Sequence, residues 1–261
     1  MSAIAYHRPA SVAEAAKLAQ SEPDARILAG GQSLLPSMKL GLLAPTAFID
    51  LGALAELRGI RADRKSVTVG AMTSHAEVAE SREVAEWLPA LGTLAEGIGD
   101  PQVRNRGTIG GSLANSDPAA DYPAAVLALN ATIRTNRRSV AADDFFKGLF
   151  ETALSPGELI TAVEFPVPRS AAYVKFRQPA SRFALVGVFV AQTSAGVRVA
   201  VTGAGPCVFR VAALEQALTR RFTAQACEGI TISPDGLNED IHASAAYRAH
   251  LVPVLARRAV A

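Results

Sequence analysis

Two glycine doublets set in similar company constrain this chain more than any other feature: Ala29-Gly30-Gly31-Gln32-Ser33 and Thr108-Ile109-Gly110-Gly111-Ser112. Consecutive glycines accept backbone conformations that side chains forbid, so successive N–H groups can turn toward one concave point that suits phosphate oxygens. The hydroxyls of Ser33, Thr108 and Ser112 add donors beside them. Taken alone, each doublet is more readily a tight turn than a phosphate site. Two such loops converging from separate lobes, however, would clamp a diphosphate, which carries charge on both phosphates.

The surrounding pattern alternates strand and helix. Ser11-Val12-Ala13-Glu14 combines a hydroxyl that can cap a helix with a glutamate that can reach back, and that helix should stop before Pro23. Residues 25–28 and 48–51 are short strand candidates, the first running straight into Gly30. From about Gly59 new elements begin: a hairpin around Asp63-Arg64-Lys65, a strand over 66–69, and a second Ser-x-x-Glu box at Ser74 and Glu77. Between Gly97 and Pro118 the periodicity gives way to Gly, Asn, Asp, Ser and Pro, which predicts a long functional loop. A helix over 121–129 and a strand over 159–165 follow, and Val167-Pro168-Arg169-Ser170 reads as a boundary. Beyond it, strands at 173–177, 184–192 and 197–202 precede helices at 211–218 and 243–258, the rhythm of a small α+β module. The predicted division is 1–57, 58–168 and 169–261.

Composition closes several alternatives. With 49% hydrophobic residues in 261, the chain can bury a substantial core. Lys+Arg 26 against Asp+Glu 24 leaves +2, too little for a broad nucleic-acid footprint. The longest nearly apolar run, Phe183 to Ala191, is roughly half of the ~18 residues a membrane span needs, and no basic segment followed by an apolar core opens the sequence. A cytoplasmic protein without a membrane span is expected. Two cysteines, Cys207 and Cys227, cannot supply the thiolates of an iron–sulfur cluster, and neither CxxC nor HExxH occurs. No metal site is expected on this chain, so any redox metal must sit on another polypeptide. His7, His75, His242 and His250 are scattered and read as surface or hydrogen-bonded histidines. Gly203-Ala204-Gly205 begins like a dinucleotide fingerprint, but Pro206 and Val208 break it, leaving a strand-to-helix turn.

The second doublet lies in a dense polar stretch that continues through Asn115-Ser116-Asp117-Pro118-Ala119-Ala120-Asp121. Asp117 and Asp121 could accept hydrogen bonds from a ribose or adenine, or could cap the helix that follows.

The strings LAGGQSLLPSMK, VTVGAMTSHAE, RNRGTIGGSLANSDPAADYPAA and HASAAYRAHLVPVLARRA resemble the FAD-binding medium subunit of the molybdenum hydroxylases, the xanthine dehydrogenase and aerobic carbon monoxide dehydrogenase family. The resemblance spans nearly the whole chain. It implies an α+β architecture: a two-subdomain FAD-binding fold of the vanillyl-alcohol oxidase type and a C-terminal module of three strands and helices. It places the FAD diphosphate on the segments Ala29 to Ser33 (Ala29, Gly30, Gly31, Gln32, Ser33) and Thr108 to Ser112 (Thr108, Gly110, Gly111, Ser112 among them), with Asp121 toward the adenosine part; Leu34 and Asp117 complete the expected cofactor-binding set beside them. Ile160 corresponds to an apolar residue packing on the flavin. Lys175 corresponds to a lysine near it, where a cation can stabilise negative charge, and otherwise reads as a solvated strand lysine. Phe183 falls where some relatives stack a tyrosine on the ring, and otherwise reads as core. Arg182 replaces an acidic residue of many relatives.

The same resemblance implies that electrons arrive from [2Fe–2S] clusters of a small subunit, fed by a large molybdopterin subunit. They leave for NAD+, oxygen or a quinone-linked acceptor, and the assembly is a dimer of heterotrimers. No catalytic side chain is expected. Two other classes remain open: a self-contained FAD-dependent oxidoreductase, for which His75 is the weak candidate acid or base, and a cofactor-free scaffold subunit.

Overall fold

The Ser11 hydroxyl accepts from the Glu14 amide at 3.2 Å and starts the helix Val12–Ser21, which ends short of Pro23. Glu14 reaches back one residue further than a capping box requires, accepting from the Ala10 amide at 2.8 Å. A computed structural model, which describes residues 4–261, lays this helix over a parallel sheet of β1 (Ala5–His7), β2 (Arg26–Leu28) and β3 (Ala47–Asp50), ordered β1-β3-β2. Ala15, Ile49, Leu51, Leu54 and Leu57 form the small core between them, joined by Met72 and Leu159 from the next unit.

The second sheet is antiparallel. β4 (Ile60–Ala62) turns into β5 (Ser66–Gly70) where Asp63 Oδ1 accepts from the amides of Lys65 at 2.7 Å and Ser66 at 2.9 Å. β6 (Thr132–Thr135) and β7 (Ser139–Ala141) form a second hairpin. A small two-stranded ribbon, β8 (Phe146–Gly148) and β9 (Glu151–Thr152), precedes β10 (Ile160–Pro166), which closes the order β4-β5-β10-β6-β7. The Ser74–Glu77 box is complete: Ser74 Oγ accepts from the Glu77 amide at 3.2 Å and Glu77 Oε2 from the Ser74 amide at 2.7 Å, opening the helix His75–Glu80. Helices Arg82–Trp87, Pro89–Glu96 and Tyr122–Ala128 cover the sheet and bury Val84, Leu91, Leu94 and Val126.

The stretch expected as one long loop, Gly97 to Pro118, contains two short helices, Pro101–Arg104 and Ile109–Asn115. Local capping decides this against the glycine content: Asp100 Oδ1 accepts from the Val103 amide at 2.8 Å, and Thr108 Oγ1 accepts from the Gly111 amide at 3.1 Å.

The third sheet has four strands rather than three: β11 (Ser170–Arg177), β12 (Ala184–Thr193), β13 (Gly196–Thr202) and the short β14 (Phe209–Arg210), all antiparallel in that order. β14 stands between the Gly203-Ala204-Gly205 turn and its helix, so that turn does not lead directly into Ala212–Arg220. One face of β12 and β13 joins the second unit's core through Phe189, Ala191 and Ala200; the other packs Val186, Val188 and Val199 against Leu214, Val252 and Leu255 of helices Ala212–Arg220 and Ala245–Ala259. Among the described residues no helix is long and apolar enough to cross a membrane.

Candidate functional site

The end of β2 delivers the chain into a segment that touches the second glycine region backbone to backbone. A Cβ built on Gly30 would lie 2.1 Å from the Arg106 carbonyl oxygen and 2.7 Å from Gly107 Cα, so only glycine allows this approach. Gly31 is held at φ +75°, a left-handed conformation that glycine adopts without strain. From Gly30 to Leu34, where the helix Leu34–Lys39 begins, five successive amides find no acceptor among the described residues, and Ser33 spends no side-chain bond on capping. They line a cleft of about 630 Å³ between the first two sheets, together with Thr108, Gly110, Gly111 and Ser112.

The second doublet does something different from the nest expected of it. It forms the first turn of Ile109–Asn115, and its amides are already bonded: Ile109 N to Thr73 O at 3.2 Å, Gly110 N to Ala71 O at 2.8 Å, and Ser112 N to Thr108 O at 3.0 Å. Gly111 N is taken by Thr108 Oγ1 at 3.1 Å. Gly110 is glycine because the strand end is so close, a Cβ there falling 2.6 Å from Ala71 Cβ. This segment therefore gives the cleft a close-packed wall and the Ser112 hydroxyl, while the run of consecutive free amides belongs to Gly30 to Leu34. At Gly111 a Cβ would point between Thr108 Oγ1 at 2.9 Å and Ala29 Cβ at 3.5 Å, across the junction of the two segments. Gly111→Val is accordingly expected to cut flavin bound per chain at least about tenfold, read from the flavin absorbance of purified protein.

The remaining expected residues divide. Ile160, buried at 5% exposure, and Phe183, half exposed, both line the cleft. Asp117 lines it too, with Oδ1 accepting from the Ala119 amide at 2.8 Å, a turn bond rather than a helix cap. Asp121 stands before the helix Tyr122–Ala128 but makes no capping bond; its Oδ1 accepts from the Tyr173 hydroxyl at 2.6 Å and pairs with Lys175 Nζ at 2.8 Å. Burial outweighs the lysine and raises the Asp121 pKa. Lys175, expected beside a cofactor, does not line the cleft: its ammonium sits behind Asp121, donating also to the Gly97 carbonyl at 2.8 Å.

Two cleft-wall groups received less weight in the sequence than their setting warrants. Glu158 is buried and accepts from Arg138 Nε at 2.9 Å, Thr135 Oγ1 at 2.8 Å and the Ser155 amide at 3.0 Å, bonds that hold its pKa down to about 2. His75 is buried beside Gly107, and its Nδ1 has no hydrogen-bond partner among the described residues; burial, and then the nearby Arg104 charge, lower its pKa to about 4, so it is neutral at physiological pH. Both folded pKa values lie below the ordinary ones. The stability each contributes is therefore complete above its ordinary pKa, 6.5 for His75 and 4.5 for Glu158, and is lost as pH falls toward about 4 and about 2. Unfolding free energy measured in urea is expected to drop by about 3 kcal/mol through the upper window and by less through the lower one, where the half-exposed Arg138 partner is screened by solvent, with His75→Gln flattening only the upper one.

A run of free amides, a hydroxyl on each side and a volume within the range of about 300–1,000 Å³ typical of ligand clefts fit a dinucleotide diphosphate, and the apolar Ile160 and Phe183 fit a flat ring system beyond it. Comparison with known proteins agrees. Residues 2–168 match the family described as the FAD binding domain in molybdopterin dehydrogenase. The chain is 37% identical to the nicotine 6-hydroxylase medium subunit of Paenarthrobacter nicotinovorans over 99% of this chain and 96% of that one. It is also 37% identical to the carbon monoxide dehydrogenase medium chain of Hydrogenophaga pseudoflava, over 98% and 95%. The structure of quinoline 2-oxidoreductase from Pseudomonas putida 86 superimposes with a TM-score of 0.88 at 31% identity, over 99% of this chain and 95% of that one. The α+β fold predicted from the sequence is thus shared with the quinoline 2-oxidoreductase structure, and the chain belongs to the family of FAD-binding domains of the molybdopterin dehydrogenases.

Proposed function

We propose that this chain is the flavin subunit of a molybdenum-containing hydroxylase or dehydrogenase, holding FAD and passing electrons from the [2Fe–2S] clusters of a small partner subunit to an external acceptor. The observation that carries this reading is the cleft itself, in which the unpaired amides of Gly30 to Leu34 face the wall built by Thr108 to Ser112. When bound, FAD supplies the exchange between electrons delivered singly and electrons released singly or in pairs.

The chain's own residues bind and orient. The five amides and Ser33 hold the diphosphate, Ser112 donates from the opposite wall, and Asp117 and Asp121 face the adenosine part. Ile160 and Phe183, on the cleft lining, would pack on the flavin ring and exclude water from it. Lys175 acts at one remove, keeping the buried Asp121 in place. No side chain is required to move a proton. In this reading residues 1–57 and 58–168 grip the cofactor from two sides, and residues 169–261 form the module that packs against it and against the iron–sulfur partner. The assembly is a dimer of heterotrimers with a large molybdopterin subunit, working in the cytoplasm. The acceptor is NAD+, oxygen or a quinone-linked carrier.

The test is to purify the chain with its partners and reduce the small subunit chemically. Loss of the flavin's visible absorbance on mixing, together with a native mass of a doubled heterotrimer, is the expected outcome. Flavin bleached by a small organic substrate in the isolated chain would contradict it.

A further inference from the structure

The tip of the β11–β12 hairpin, residues 178–183, is folded on itself. Gln178 N donates to Phe183 O at 2.9 Å, Arg182 N to Gln178 O at 2.8 Å, and Ser181 N to Gln178 Oε1 at 2.6 Å. This closure forces Arg182 to φ +62°, a left-handed conformation uncommon for a residue with a side chain. Ser181, Arg182 and Phe183 line the cofactor cleft, while Gln178, Ser181 and Phe183 also line a second cavity of about 510 Å³ on the other side, so the tip stands as a partition between the two spaces. Among the described residues the tip makes one hydrogen bond to the rest of the molecule: Arg182 Nη1 donates to the Gly99 carbonyl at 3.1 Å, across to the second unit. Gly99 is itself fixed, since the same carbonyl accepts from Arg104 Nη1 at 3.1 Å.

We propose that Arg182 is a cofactor-positioning residue: through its single bond to Gly99 it holds the hairpin tip, and with it the Phe183 ring, against the cofactor cleft. A strained loop anchored at one point has a low cost of local opening, so that bond sets how often the partition swings away. The inference rests on the cofactor reading above, and it explains why a cation occupies a backbone conformation that disfavours it.

The full chain loaded with FAD is the material for the test, and the readout is the rate at which flavin is released on dilution. Arg182→Gln keeps the strained backbone and removes the tether, and is expected to release flavin about tenfold faster with an unchanged thermal midpoint. Phe183→Ala should speed release to a similar degree. The double variant should be no faster than the faster single one, because the arginine acts through the ring. Release by Arg182→Gln within twofold of the wild type, or single effects that multiply in the double variant, would overturn the proposal. A wild-type chain that retains no flavin would instead remove the cofactor reading beneath it.

Discussion

Gly30→Ala is expected to leave the protein without flavin and to cost about 3 kcal/mol of stability, the upper range for forcing extra bulk into a packed site. The added methyl would stand 2.1 Å from the Arg106 carbonyl oxygen, and its neighbours there are backbone, which cannot rotate away as a flexible side chain can. Either the first segment withdraws and the five amides lose their common focus, or Arg106–Gly107 shifts and pulls the second wall out of place. Both routes open the cleft. Gly41→Ala is the matched control: it lies beyond the helix Leu34–Lys39 with φ +73° but with nothing within 4 Å of the added atom, so it carries backbone strain alone. It should cost about 1 kcal/mol and keep its flavin. Urea midpoints and flavin-to-protein absorbance ratios of the two variants check both expectations.

Lys175→Met should be the next most damaging change, at about 3–5 kcal/mol, because it leaves the Asp121 carboxylate buried with its countercharge removed. Asp121 is 4% exposed, and its remaining partner, the Tyr173 hydroxyl, is neutral. Tyr173 and Lys175 both belong to β11, whereas Asp121 lies on the cleft wall. Losing the pair therefore also loosens the third sheet's hold on the cofactor site. Adding Asp121→Asn to Lys175→Met should recover a large part of the lost stability by neutralising the orphaned group, but not the lost flavin affinity. Chemical denaturation and flavin titration of the two single variants and the double variant measure the separation; a double variant as unstable as Lys175→Met would contradict it.

How much of this was legible in the sequence follows from the range of each interaction. Elements fixed by neighbours a few residues away were readable: the Ser74–Glu77 box, the Asp63 turn and the start of the helix at Val12 depend on bonds spanning three residues or fewer. The short helices inside Gly97 to Pro118 were missed because glycine-rich composition spoke for a loop, although Asp100 and Thr108 stood where caps would. The contrast between the two doublets was out of reach. Nothing near Gly110 announces that the carbonyls of Ala71 and Thr73, more than thirty residues earlier, will take its amide and that of Ile109. The same holds for Lys175, whose partner Asp121 comes from another unit, and for Arg182, whose tether to Gly99 spans 83 positions of sequence. Family resemblance located the cleft; only the packed structure shows which of its groups remain free to bind.

That distinction makes residue-resolved amide hydrogen exchange, with and without FAD, the most direct test of the account. The five amides from Gly30 to Leu34 have no partner among the described residues, and those of Ile109 to Ser112 are all bonded within the protein. Adding FAD should slow exchange strongly over residues 30–34 and change residues 109–112 little, since these are already protected in its absence. Unchanged exchange at 30–34 in a chain carrying a full complement of flavin would contradict the claim that this segment grips the diphosphate.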